Sequence, residues 1–260
     1  MSSFYRNLMV LSVVASIALA ATAATADDWG SLKGRFVFDG TAPVPAKLTI
    51  DKDVAVCGSH NLVDQSLEVG PTGGIANVVV WVYAKKVKVN PEYAKTATDK
   101  VTIDNHNCHF EPHVVGLRVG QTLVIKNSDP VAHNTKVDGE ITQFNQLITS
   151  GSSIEVSIDG PEKLLAPVGC SIHPWMNAKM VVRSNPYFAI SDKNGNFEIK
   201  DLPAGELEFQ VIQERSGYIT GATVGGQEAK WPKGRVKWTI DADKTTDLGE
   251  MKIGAAQFNK

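Results

Sequence analysis

Gly, Pro, Asn and Asp cut this chain into short β-branched or alternating runs, and between them almost no apolar stripe keeps helical spacing for three turns. That punctuation predicts an all-β protein. The runs are Leu32–Phe38, Gln65–Val69, Ala76–Tyr83, Lys100–Asp104, Val114–Val119, Gln121–Lys126, Ser153–Ile158, Lys163–Val168 and Lys179–Arg183. Asn77 to Tyr83 is continuous and apolar, as in a strand covered on both faces. Residues 85–98 are polar and read as a long loop, with a short helical turn after Pro91.

The pattern restarts after Ser184-Asn185-Pro186, which marks a boundary: residues 27–184 form one domain and 185–260 a smaller one. Strands at Tyr187–Ile190 and Phe197–Ile199 flank Asn194-Gly195, a pair suited to a type I′ hairpin because both turn positions need positive φ. Glu206–Ile212, Val236–Ile240 and Asp247–Ile253 complete this half. Its carboxylates, Asp192, Glu198, Asp201, Glu206 and Glu208, suit turns and solvent faces and form no catalytic constellation.

A net charge of −2 with no basic run argues against nucleic acid as a partner. Residues 1–26 have the form of a cleaved export signal, with Arg6, an apolar core from Leu8 to Ala21, and the small residues Ala24-Thr25-Ala26. That core is shorter than the ~20 residues that span a bilayer. A periplasmic or secreted product follows, in a compartment where thiols pair or need protection. Three cysteines allow one internal bridge and leave one sulfur over.

The segment Cys170-Ser171-Ile172-His173-Pro174-Trp175-Met176 offers thiolate, imidazole and thioether in a C-x2-H-x2-M loop between two runs. Those donors suit copper that cycles between two oxidation states. A second imidazole must come from elsewhere, and His133, in Asn127-Ser128-Asp129-Pro130-Val131-Ala132-His133-Asn134, is the outstanding candidate. Taken with the flanking strands, these motifs resemble the blue-copper proteins (cupredoxins), and the short loop with Pro after its His is most similar to amicyanin. The resemblance implies a Greek-key sandwich or barrel, His133, Cys170 and His173 as trigonal ligands, and Met176 as axial ligand. It also implies that Asn134 fastens the two ligand loops beside the thiolate. Val168 and Ala132 stand where the family commonly has an aromatic residue and a proline.

On this reading, a bridge between Cys57 and Cys108 leaves Cys170 free as a ligand. The alternative keeps Cys57 reduced and gives Cys108 to a second metal site with His106, His109 and His113. Strand alternation would instead scatter those histidines, and His60 reads as a surface residue. Pro174 and Trp175, with Ile172, Val131 and Pro130, would form an apolar docking patch around an exposed imidazole edge. The C-terminal half resembles carboxypeptidase regulatory-like, prealbumin-type β-sandwiches. Paired in this way, the two halves resemble exported bacterial proteins described as methylamine-utilisation-like. The implied function is single-electron transfer on one type 1 copper ion, without chemistry on a substrate, between redox partners such as a c-type cytochrome or an oxidoreductase. Copper storage or delivery, and a β-sandwich that binds no metal, are the competing readings.

Overall fold

A computed structural model describes residues 28–259, so the expected signal at 1–26 lies outside the described residues. The protein is all-β, and its chain runs in three stretches. The first contributes Trp29–Asp39 (β1), a one-turn helix at Val54–Cys57 (α1) and Val79–Val82 (β2). The second holds Lys100–His106 (β3), His109–Glu111 (β4), Val114–Arg118 (β5), Thr122–Asn127 (β6), His133–Asp138 (β7), Gln143–Ile148 (β8), Ser153–Ser157 (β9), Ala166–Gly169 (β10) and Asn177–Arg183 (β11). The third holds Phe188–Ile190 (β12), Asn196–Pro203 (β13), Gly205–Gln213 (β14), Gly217–Tyr218 (β15), Gly221–Val224 (β16), Gln227–Lys230 (β17), Arg235–Ile240 (β18) and Thr245–Gly254 (β19).

Four sheets result, in the orders β13-β1-β19-β16-β17, β12-β2-β14-β15 with β18 on β14, β5-β11-β10-β7-β8, and β4-β3-β6-β9. Three apolar clusters hold them as successive layers. Leu32, Phe36, Val80, Phe209, Val211 and Ile253 fill the space between the first two sheets. Ile103, Phe110, Leu117, Leu123, Ile125 and Val182 fill that between the last two. A smaller cluster of Val79, Trp81, Val114, Val181 and Ile212 joins the two sandwiches. Because side chains alternate along a strand, β2 sends Val80 and Val82 one way and Val79 and Trp81 the other. That explains why its sequence is unbroken apolar. Gly116 is needed at the same junction, since a Cβ there would sit 2.5 Å from the Phe188 ring.

These pairings cross the boundary expected between 27–184 and 185–260. β1 is zipped between β13 and β19, and β2 between β12 and β14, so both opening strands belong to sheets completed after residue 184. The two sheets nearest the metal motif are built wholly from residues 100–183. A linear reading of composition sees where a pattern restarts; it does not see a strand returning to pair across more than a hundred residues.

Smaller differences have local causes. Gln65–Val69 forms no strand beyond an isolated bridge from Val69 to Ile75. β4, β7, β8 and β15–β17 were not expected, because they are very short or polar: β8 is an exposed edge strand, and β7 buries His133, Asn134 and Thr135 in place of aliphatic residues. The turn after Pro91 is present as a 3₁₀ helix, Pro91–Thr96, with the Asn90 side chain accepting from the Glu92 N–H.

Candidate metal centre

β7 begins at His133, and antiparallel β10 ends at Gly169, where Gly169 faces Lys136 and Val168 faces Val137. Extending that register by two pairs sets Ser171 opposite Asn134 at one end of the sheet. β11 starts at Asn177, opposite Gly169, so residues 170–176 form the closed turn between two paired strands. Sheet geometry alone therefore brings the His133 and Cys170–Met176 segments together.

Donor atoms of His133, Cys170 and His173 lie within 4.8 Å of one another, and all three residues are buried. The two Nδ1 atoms are 2.8 Å apart, and the Cys170 Sγ is 3.8 Å from the Nδ1 of His173. That sulfur–nitrogen separation is what two bonds of roughly 2 Å leave between neighbouring ligand atoms. Met176 is buried in the same turn and belongs to the same apolar cluster as Cys170. Backbone bonds from Cys170 N–H to the Met176 carbonyl and from Met176 N–H to the His173 carbonyl close the turn, at 3.2 and 2.9 Å.

Asn134 fastens the two segments. Its Oδ1 accepts the N–H groups of Ser171 at 2.8 Å and Ile172 at 3.1 Å and lies 3.3 Å from the Cys170 sulfur. Its own N–H and that of His173 both point at that sulfur from 3.4 Å. Its Nδ2 donates to Asn145 of β8.

Sequence reasoning missed the groups behind the rings. The Nε2 of His133 meets Asp129 at 2.8 Å, and the Nε2 of His173 meets Asp53 at 2.7 Å. A carboxylate only accepts, so each Nε2 carries the hydrogen and each Nδ1 turns inward. Burial opposes charge on His133, but Asp129 and Cys170 together outweigh it and hold the ring up at about 9. For the Cys170 thiol, burial is again opposed, here by His133 and the N–H groups aimed at the sulfur, and it is held below the ordinary thiol value. Burial is the largest influence on His173 and lowers it despite Asp53. The four-residue spacing of Asp129 and His133 lies inside the motif already singled out; nothing in the sequence points from Asp53 to His173.

Cys57 and Cys108 form a disulfide, with S–S 1.99 Å, and Cys170 is the free cysteine. Cys108 occupies the tight turn between β3 and β4, where it and Asn107 have φ of 58° and 54°. The histidines around it scatter. His106 meets Glu111, His109 meets the Asn107 carbonyl, and His113 meets Glu214. His60, His109, His113, Glu214 and Trp175 line a cavity of about 410 Å³, yet among the described residues these histidines form no common donor cluster. The disulfide sulfur of Cys108 is spent, so a second site built on that cysteine is overturned.

The expected exposed imidazole edge is also overturned, because His173 is 0% exposed and covered by Asp53. Pro174 is exposed. Trp175 is half-buried, packs against His173 with ring centroids 5.0 Å apart and the planes tilted by 52°, and donates its indole N–H to the Cys108 carbonyl. Among the described residues, no helix is long and apolar enough to cross a membrane.

No family model matches this chain, and no curated protein matches it. Among solved structures it is similar to a purple cupredoxin from Nitrosopumilus maritimus at 24% identity, covering 32% of this chain and 98% of that one, with a TM-score of 0.28. A copper-containing nitrite reductase from Thermus scotoductus matches at 21% identity over 39% of this chain and 25% of the reductase, TM-score 0.30. An amicyanin variant in its reduced state matches at 17% identity over 40% of this chain and 98% of amicyanin, TM-score 0.29.

Proposed function

We propose that this chain is an exported copper protein that carries single electrons, at one type 1 centre that His133, Cys170, His173 and Met176 would hold. The observation that carries the reading is the convergence of one sulfur and two Nδ1 atoms whose Nε2 partners are both carboxylates. Such a thiolate–imidazole set is one that copper occupies in either oxidation state. Bound there, copper would supply a one-electron couple. The chain's own residues supply rigidity. Asn134 and the turn N–H groups fix the sulfur, Asp129 and Asp53 fix the rings, and the surrounding apolar cluster keeps water away. Ligands that cannot move need little rearrangement when one electron arrives or leaves.

In this proposal residues 100–183 form the cupredoxin-like unit, and the outer sandwich, prealbumin-like and built from both ends of the chain, braces it through the Val79–Trp81 junction. Removal of residues 1–26 would release the protein to the periplasm or outside, where a c-type cytochrome or another redox protein would exchange electrons with it. The same pairing of modules underlies the proposed methylamine-utilisation-like character.

The test is copper(II) addition to the purified chain. Stoichiometric uptake with an intense visible sulfur-to-copper band is expected, Cys170→Ala should abolish the band, and Met176→Leu should keep copper while raising the potential. A colourless protein without stoichiometric metal overturns the proposal.

A further inference from the structure

Residues 40–66 leave the outer sandwich and cross to the metal cluster with little regular structure beyond α1, a short 3₁₀ turn and a bridge between Lys47 and Val63. Asp53 opens α1 in the left-handed region, φ 45° and ψ 40°, and its carbonyl accepts the N–H groups of Val56 and Cys57. A non-glycine residue there is uncommon, although Asp tolerates it better than most. Four residues later, Cys57 is bonded to Cys108. Cys108 in turn donates its N–H to Asp129 and accepts the Trp175 indole through its carbonyl. The same disulfide thus ties the Asp53 segment to the turn that organises Asp129 behind the other imidazole.

The outcome is selective burial. Ser171 and Pro174 are exposed on either side of His173, yet its ring is fully covered, with Asp53 itself 43% exposed on the outside. Val54, next in sequence, is 56% exposed, so the outer face of this segment looks into solvent.

We infer that Asp53 is a positioning residue for His173, and that the disulfide-pinned segment delivering it is a strap sealing this imidazole edge from solvent, metal exchange and partners. The inference rests on the metal-centre reading for its electronic consequence and on geometry alone for the sealing. Asp53 does two separable things. Its bulk and acceptor oxygen cover Nε2, and its charge favours the more positive oxidation state of an ion held by that ring.

Two variants of the full-length protein separate these roles. Asp53→Ala removes both, and Asp53→Asn keeps an acceptor of the same shape without charge. Sealing is read in chelator-treated protein by diethylpyrocarbonate modification of His173, mapped by mass spectrometry. About tenfold faster modification is expected for Asp53→Ala and for Cys57→Ser/Cys108→Ser, with Asp53→Asn within twofold of the parent. Charge is read in copper-loaded protein by voltammetry. Both Asp53 variants should lose about tenfold in preference for copper(II) over copper(I), equivalent to about +59 mV for one electron. His173 modification within twofold of the parent in Asp53→Ala overturns the strap. An unshifted potential in a copper-loaded Asp53→Asn overturns the role of the Asp53 charge. A parent chain that takes up no copper defeats the functional proposal instead, and the modification rates still decide the strap.

Discussion

One carboxylate oxygen of Asp129, Oδ2, takes both the ring N–H of His133 and the backbone N–H of Cys108, each at 2.8 Å. Its other oxygen takes the N–H of Asn107 at 2.6 Å. Asp129 is 4% exposed, and its carboxyl is held below the usual carboxylate range: burial opposes the charge, but His133 and the two N–H groups prevail. Asp129→Ala strands three donors, two of them buried, and should lower stability by about 3–5 kcal/mol in urea denaturation. On the copper proposal, affinity for that metal should fall by roughly 10–100-fold. A variant with unchanged affinity would show that the ring is oriented by other contacts.

The Cys57–Cys108 bond spans 51 residues and ties a segment with little regular structure to a tight turn. In the chain-entropy account, closing such a loop contributes about 4 kcal/mol. Cys57→Ser/Cys108→Ser should therefore unfold at correspondingly lower urea. Because the constraint acts mainly on the unfolded chain, the sheet pairing of β7, β10 and β11 should survive, as read by backbone amide shifts.

Asn134→Ala removes the acceptor shared by the Ser171 and Ile172 N–H groups. With both donors unpaired, the 170–176 turn loses its tie to β7. Stability should drop by about 2 kcal/mol, and hydrogen exchange at these two amides should quicken at least tenfold. Uniform quickening across β10 and β11 would mean instead that the sheet, not the turn, depends on Asn134.

Much of this cluster was legible because its donors are reactive residue types at short spacing beside strands. The donor atoms of His133, Cys170 and His173, singled out by their types and spacing, do converge, and strand β2 reads as doubly covered because alternation forces it to be apolar throughout. Three things were not legible, each for a physical reason. β7 hides its strand character because it buries the polar side chains of His133, Asn134 and Thr135. The sheet membership of β1 depends on partners near residues 200 and 250, and no local pattern encodes pairing at that range. Asp53 reaches His173 from 120 residues away through an irregular loop, and a lone exposed aspartate carries no spacing signal.

Glu214 clasps the two sandwiches beside the Val79–Trp81 junction. It lies between β14 and β15, and its carboxylate meets the Nε2 of His113, just before β5, at 2.6 Å and the Nζ of Lys179 on β11 at 3.3 Å. Burial opposes its charge, yet His113 and Lys179 outweigh this and hold the carboxyl below the usual glutamate value. A carboxyl that is more acidic in the folded protein stabilises it fully at pH above the unfolded value, about 4.3. That contribution is lost as pH falls through the lower folded value. Glu214→Gln should therefore be less stable than the parent by about 1–3 kcal/mol at pH 7. The gap should narrow below about pH 4 and close once the parent's own carboxyl is protonated. Urea denaturation of both proteins from pH 7 to pH 3 measures it, and a gap that stays constant over that range would show that the clasp works through shape, not charge.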